Sequence, residues 1–92
     1  MGIAQEIYEL NLEKMDLIEQ RLANYRKELK LISEQISSLS PSSPSYSSDL
    51  AQLEKIYNHT NSNYITTQRE KKYQEKINKR CEKEALAESV RE

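Results

Sequence analysis

The sequence predicts an all-α protein: two long helices folded into an antiparallel, coiled-coil-like hairpin, completed to a bundle by a partner or a second copy. Three observations carry this. Strong helix formers fill residues 3–39 without a proline or a glycine. Both prolines, Pro41 and Pro44, fall within the central stretch SSLSPSSPSYSSD. On either side, apolar residues recur at alternating spacings of three and four, the a/d rhythm of helices that pack knobs into holes. The expected unit is a single domain over residues 1–92, with a first helix of about 3–39, a Ser/Pro turn of 40–47 and a second helix of about 48–90.

In the first helix, Met15, Ile18, Leu22, Tyr25, Leu29, Ile32, Ile36 and Leu39 form one unbroken seam. Upstream, Ile3, Ile7 and Leu10 keep the same rhythm in a different phase. The eleven residues from Ile7 to Ile18 therefore predict a local relaxation of the supercoil. Pro41 and Pro44 cannot continue a helix and bias the serines before them away from helical geometry, so the first helix ends near Leu39. Ser48 or Asp49 is the expected cap of the second helix, with Gln52 completing a capping box.

The second helix has a thinner seam: Leu50, Leu53, Tyr57, Thr60 and Tyr64, then Tyr73, Ile77, Cys81 and Ala85. Its Asn58–Asn63 run is poor in helix propensity, and its side chains compete for backbone hydrogen bonds, which predicts a soft segment or a kink.

Two charge stripes connect the halves. Glu6, Glu9, Glu13 and Asp16 line one face of the first helix; Arg69, Lys72, Lys76, Lys79 and Lys83 line one face of the second. A fold-back centred at Ser43 or Pro44 sets residues 6–16 against 71–81 and pairs Leu10 with Ile77, Ile7 with Cys81 and Ile3 with Ala85. The stripes then select the antiparallel orientation, although each exposed pair contributes only about 0–1 kcal/mol. A helix-swapped dimer satisfies the same register. Reversal of Glu9 and Glu13 to Lys is expected to destabilise the fold, with partial rescue by Lys76→Glu and Lys79→Glu.

Leu12, Leu17 and Leu31 lie outside the strict seam, so the apolar face of the first helix is wider than one neighbour requires. The expected partner-binding surface is therefore Leu12, Leu17, Leu22, Tyr25, Leu29, Leu31, Ile32 and Ile36, and the expected partner is another protein helix or a second copy of the chain.

Composition narrows the function. Charged residues make up 32% of the 92 and hydrophobic residues 36%, with no Trp or Phe, so a thick core is out of reach. The net charge of -1 gives no overall attraction to nucleic acid or to an anionic membrane. No apolar run approaches the roughly 20 residues of a membrane span, and the N-terminal MGIAQEIYEL lacks the basic and apolar regions of a signal peptide. With one cysteine there is no intrachain disulfide, and a cytoplasmic location is expected.

Chemistry-bearing constellations are missing. One Cys and one His, far apart, do not make a zinc site, and no glycine-rich loop cradles a phosphate. Cys81 follows Arg80, which lowers a thiol pKa, but the expected register packs it inward as a small core residue; His59 reads as a solvated polar residue. Neither an enzyme nor a cofactor protein is expected. Residues 69–83 hold seven Lys or Arg against three Glu, the footprint of a nucleic-acid contact, but the acidic stripe is positioned to neutralise it. Ser40 and Ser43 precede the prolines as potential phosphate acceptors, but serine-proline pairs are common in ordinary bends, which is the favoured reading.

In size and helix pattern the chain resembles the small helical-hairpin proteins that serve as secretion chaperones, co-chaperones and assembly adaptors, including those of bacterial type III secretion systems. That layout implies a chaperone or adaptor that shields a partner helix in an apolar groove. The competing expectations are a self-assembling structural subunit and a nucleic-acid binder acting through the basic stripe.

Overall fold

The computed structural model describes residues 2–91. They form two helices, α1 (Ile3–Ser38) and α2 (Tyr46–Arg91), packed against each other as an antiparallel hairpin. The rod measures 72 × 14 × 13 Å, close to the ~69 Å expected for a 46-residue helix. Its radius of gyration is 20.7 Å, against about 12 Å for a compact globule of this length. The chain buries a line between two helices rather than a sphere.

Burial marks that line. In α1 the shielded positions are Ala4, Tyr8, Asn11, Met15, Ile18, Leu22, Tyr25, Leu29, Ile32 and Ile36, with Leu39 continuing the series just beyond the helix. Their spacing alternates four and three throughout, so one phase runs the full length of α1. The expected seam from Met15 onward is the observed one. Its upstream continuation is Ala4, Tyr8 and Asn11, not Ile3, Ile7 and Leu10, which are 73%, 44% and 57% exposed. The predicted change of phase does not occur. Staying in one phase keeps the knobs of Ile18 and Leu22 in their holes, at the cost of a buried asparagine.

α2 behaves the same way. Its seam runs Tyr46, Leu50, Leu53, Tyr57, Thr60, Tyr64, Thr67, Lys71, Gln74, Asn78, Cys81, Ala85 and Glu88. Thr67 and Lys71 fill the gap left by the sequence reading, and Gln74 and Asn78 take the seam places expected of Tyr73, which stands 68% exposed, and of Ile77. The asparagine-rich run stays helical. Asn58, His59 and Ser62 face outward, and Thr66 and Thr67 turn their hydroxyls onto the carbonyls of Ser62 and Asn63, at 3.0 and 2.8 Å.

The turn is built from two like units. Ser40 C=O accepts from Ser43 N–H at 3.0 Å, and Ser43 C=O accepts from Tyr46 N–H at 3.1 Å. Each unit has proline at its second position, where the fixed φ of the ring suits a β-turn. In each, the first and third serine hydroxyls meet: Ser40 with Ser42 at 2.9 Å, and Ser43 with Ser45 at 3.2 Å. The second helix starts earlier than expected. Asp49 N–H donates to Ser45 C=O at 2.9 Å as the first helical bond, so Ser45 rather than Ser48 or Asp49 holds the N-cap position; its hydroxyl donates to the Asp49 carboxylate at 2.9 Å.

The register follows from five contacts. Gln74 and Cys81 both reach Asn11, Lys71 reaches Glu19, Glu70 reaches Arg21, and Glu88 reaches Ala4. Residues 6–16 therefore run level with about residues 73–84, two or three positions beyond the expected 71–81. The two turns carry the chain onward along the rod before it reverses, so α2 begins beyond the end of α1.

Candidate interaction surface

With seam positions labelled a (Tyr8, Met15, Leu22) and d (Asn11, Ile18, Tyr25), the remaining positions sort into two flanks and a back. Positions c and g of both helices share one flank, as the Arg21–Glu70 pair shows; e and b share the other. Two shallow depressions follow this division. One is lined by Gln35, Ser38, Leu39, Asp49, Gln52 and Leu53 on the c/g side; the other by Ser33, Ile36, Ser37, Glu54, Tyr57 and Asn58 on the e/b side.

The charge stripes fall on the backs. Glu6 and Glu13 are f positions and Glu9 and Asp16 are b; Arg69, Lys76 and Lys83 are f, and Lys72 and Lys79 are b. All nine are exposed. Among the described residues, the ion pairs between helices are formed instead by Arg21 Nη2 with Glu70 Oε2 at 2.9 Å and by Lys71 Nζ with Glu19 Oε1 at 3.9 Å. Among the described residues, no cation of the basic stripe lies within ion-pair distance of the acidic stripe. The stripes share a height along the rod, as expected, but face away from each other. The cause is the phase of the seam. With Ile7 and Leu10 as seam, the acidic residues would flank it at g and c; with Tyr8 and Asn11 as seam, each moves one position outward, to f and b.

The eight residues expected to bind a partner also divide. Leu22 and Ile32 are buried, and Tyr25, Leu29 and Ile36 are half-buried seam residues turned toward α2. Leu17 and Leu31, each 59% exposed, lie on the c/g flank, and Leu12, 41% exposed, on the e/b flank. Sequence reasoning missed Ile3, Ile7, Leu10 and Tyr73 as surface residues, having assigned them to the core. With half-buried Ile77, they and Leu17 gather on the c/g flank at the open end of the hairpin. The usable signal was the competing phase in which Tyr8 and Asn11 continue the seam.

Seam and flank thus trade character along the rod. Toward the turn the seam is apolar apart from Thr60, from Leu22 to Leu39 against Leu50 to Tyr64. Toward the open end the seam turns polar. Asn11 Nδ2 donates to Ile7 C=O at 2.8 Å and reaches Cys81 Sγ at 3.7 Å. Gln74 Nε2 donates to Asn11 Oδ1 at 2.8 Å and to Asn78 Oδ1 at 2.9 Å. No buried polar side-chain atom among the described residues lacks a partner. Cys81 is buried within this cluster, against Asn11, while His59 is exposed and pairs with Asn63, 3.5 Å away.

Among the described residues, no three His, Cys, Asp or Glu side chains gather as a metal site, and neither helix is long and apolar enough to cross a membrane. Comparison of the chain with protein-family models, with curated proteins and with solved structures gives no match, so the arrangement of its own residues carries the functional reading.

Proposed function

We propose that this protein is a protein-interaction module of the adaptor or chaperone type, which docks an amphipathic helix of a partner protein along the c/g flank at its open end. One observation carries the reading: Ile3, Ile7, Leu10, Leu17 and Tyr73 are all exposed, and all lie on that flank. Single exposed apolar residues are ordinary, but a row of them beside a polar seam is the form of an unfilled helix-packing site. Covering this flank adds a third helix to the hairpin and completes the bundle. The expected mechanism is shielding of the partner's apolar face, with the polar seam holding the hairpin closed meanwhile.

The test compares the native protein with a Leu10→Ser/Leu17→Ser variant, both checked for equal helicity. Partners captured from the native host are identified by mass spectrometry and purified, and binding to each protein is then measured by calorimetry. The reading expects at least a tenfold weaker Kd for the variant, about 1.4 kcal/mol. Equal binding by both proteins would refute it.

A further inference from the structure

The two backs of the hairpin are complementary to each other. The back of α1 carries Glu6, Glu9, Glu13 and Asp16, and the back of α2 carries Arg69, Lys72, Lys76, Lys79 and Lys83; both stripes stand exposed at the open end. Because residues 6–16 run level with about 73–84, a second hairpin needs no slip along the rod axis to match them. Translated sideways, it sets Glu6 opposite Lys83, Glu9 opposite Lys79, Glu13 opposite Lys76 and Asp16 opposite Lys72. The helices so joined run antiparallel, and both stripes alternate between b and f, so the charges meet in step.

An apolar contact accompanies the charges. Leu17 borders the acidic stripe and Tyr73 borders the basic one, both at c positions and both well exposed, at 59% and 68%. In the translated pair, Leu17 of one copy lies at the height of Tyr73 of the next, on the same flank. An apolar contact beside a stripe of opposite charges is the arrangement by which antiparallel helices fix orientation and partner.

We propose that the hairpins associate side by side, head to tail, with the acidic back of one copy seated on the basic back of the next. The occupant of each back is a second copy of this chain. Both surfaces are present on one chain, at one height, and a rod only 14 × 13 Å across holds them close together. A nucleic acid on the basic back would lie a rod's width from four carboxylates, which disfavours phosphate. The contact is heterologous, so every open assembly keeps one free acidic back and one free basic back, at opposite ends, and the array extends until a ring closes or ends stay open. All c/g flanks point to the same side of such an array. The inference rests on the charged backs and shares only Leu17 and Tyr73 with the reading of that flank, and its test reverses charges on the backs without touching either residue.

Sedimentation and light scattering over a concentration series test it. At low ionic strength the mass is expected to rise with concentration to at least twice that of one chain. At about 0.5 M salt, where the screening length falls to a few ångströms, it returns to one chain. Glu9→Lys/Glu13→Lys sets two cations of the α1 back against Lys79 and Lys76 of the next copy, and Lys76→Glu/Lys79→Glu sets two carboxylates of the α2 back against Glu13 and Glu9; each variant alone is expected to stay monomeric with unchanged helicity. Mixing the two restores association, because a basic back again meets an acidic one. A native protein that is monomeric at low salt at every concentration overturns the proposal, as does a mixture that stays monomeric. Salt-sensitive binding of duplex DNA or RNA by a native protein that does not self-associate would also overturn it, giving the basic back to nucleic acid instead.

Discussion

Gln74 of α2 donates its side-chain amide to Oδ1 of Asn11 in α1 at 2.8 Å, and both residues are buried. A polar pair at seam positions holds register more than it adds stability, since each amide meets only one partner geometry while apolar seams slide at little cost. Asn11→Ala leaves Gln74 Nε2 with Asn78 alone and is expected to destabilise the fold by about 1–3 kcal/mol. Replacing both residues by Leu is expected to raise the urea midpoint while broadening the population of registers. Spin-label distances between α1 and α2 measure that breadth, and a single sharp distance in the double variant would count against a register role.

Leu22 and Leu31 are both leucines of α1, yet one is 3% exposed and the other 59%. Leu22→Ala opens a cavity in the narrow seam and is expected to cost about 2–5 kcal/mol. Leu31→Ala is expected to fall within about 0.5 kcal/mol of the native protein. Urea unfolding of the two variants decides whether the seam runs where it is described.

Glu88 caps α1 from the far end of the chain. Its Oε2 accepts the Ala4 N–H at 3.1 Å, at the N-terminus where α1 has no side-chain cap of its own, and its carboxylate occupies the space a side chain at Gly2 would take. Glu88→Ala is expected to cost about 0.5–2 kcal/mol and to speed hydrogen exchange at Ala4. In that background Gly2→Ser supplies a local cap in the vacated space, so exchange should slow again. If Ser at position 2 has no effect, the role of Glu88 is not capping.

Charge reversal on the backs is expected to spare the fold. Glu9 and Glu13 contact no cation of α2 among the described residues, so their reversal to Lys should shift stability of the isolated chain by no more than about 0.5 kcal/mol. Thermal unfolding at dilute concentration measures this. A loss rescued by Lys76→Glu/Lys79→Glu would instead restore the cross-hairpin pairing that the sequence suggests.

Much of this was legible beforehand. Two helices, their reversal at Pro41 and Pro44, and the seam from Met15 to Leu39 follow from local physics: helix propensity, the missing proline N–H and a repeat that only a helix-on-helix contact uses. What the sequence could not rank was two phases of similar apolar merit in residues 3–17. Ile3, Ile7 and Leu10 are the greasier set, but Ala4, Tyr8 and Asn11 continue the phase set by Ile18 and Leu22. A helix is stiff, so one phase must serve its whole length, and the longer seam decided for the shorter one. That choice, made only when α2 was in place, put an asparagine in the core beside Gln74. It also turned Ile3, Ile7 and Leu10 to the flank and moved both charge stripes to the backs of the rod.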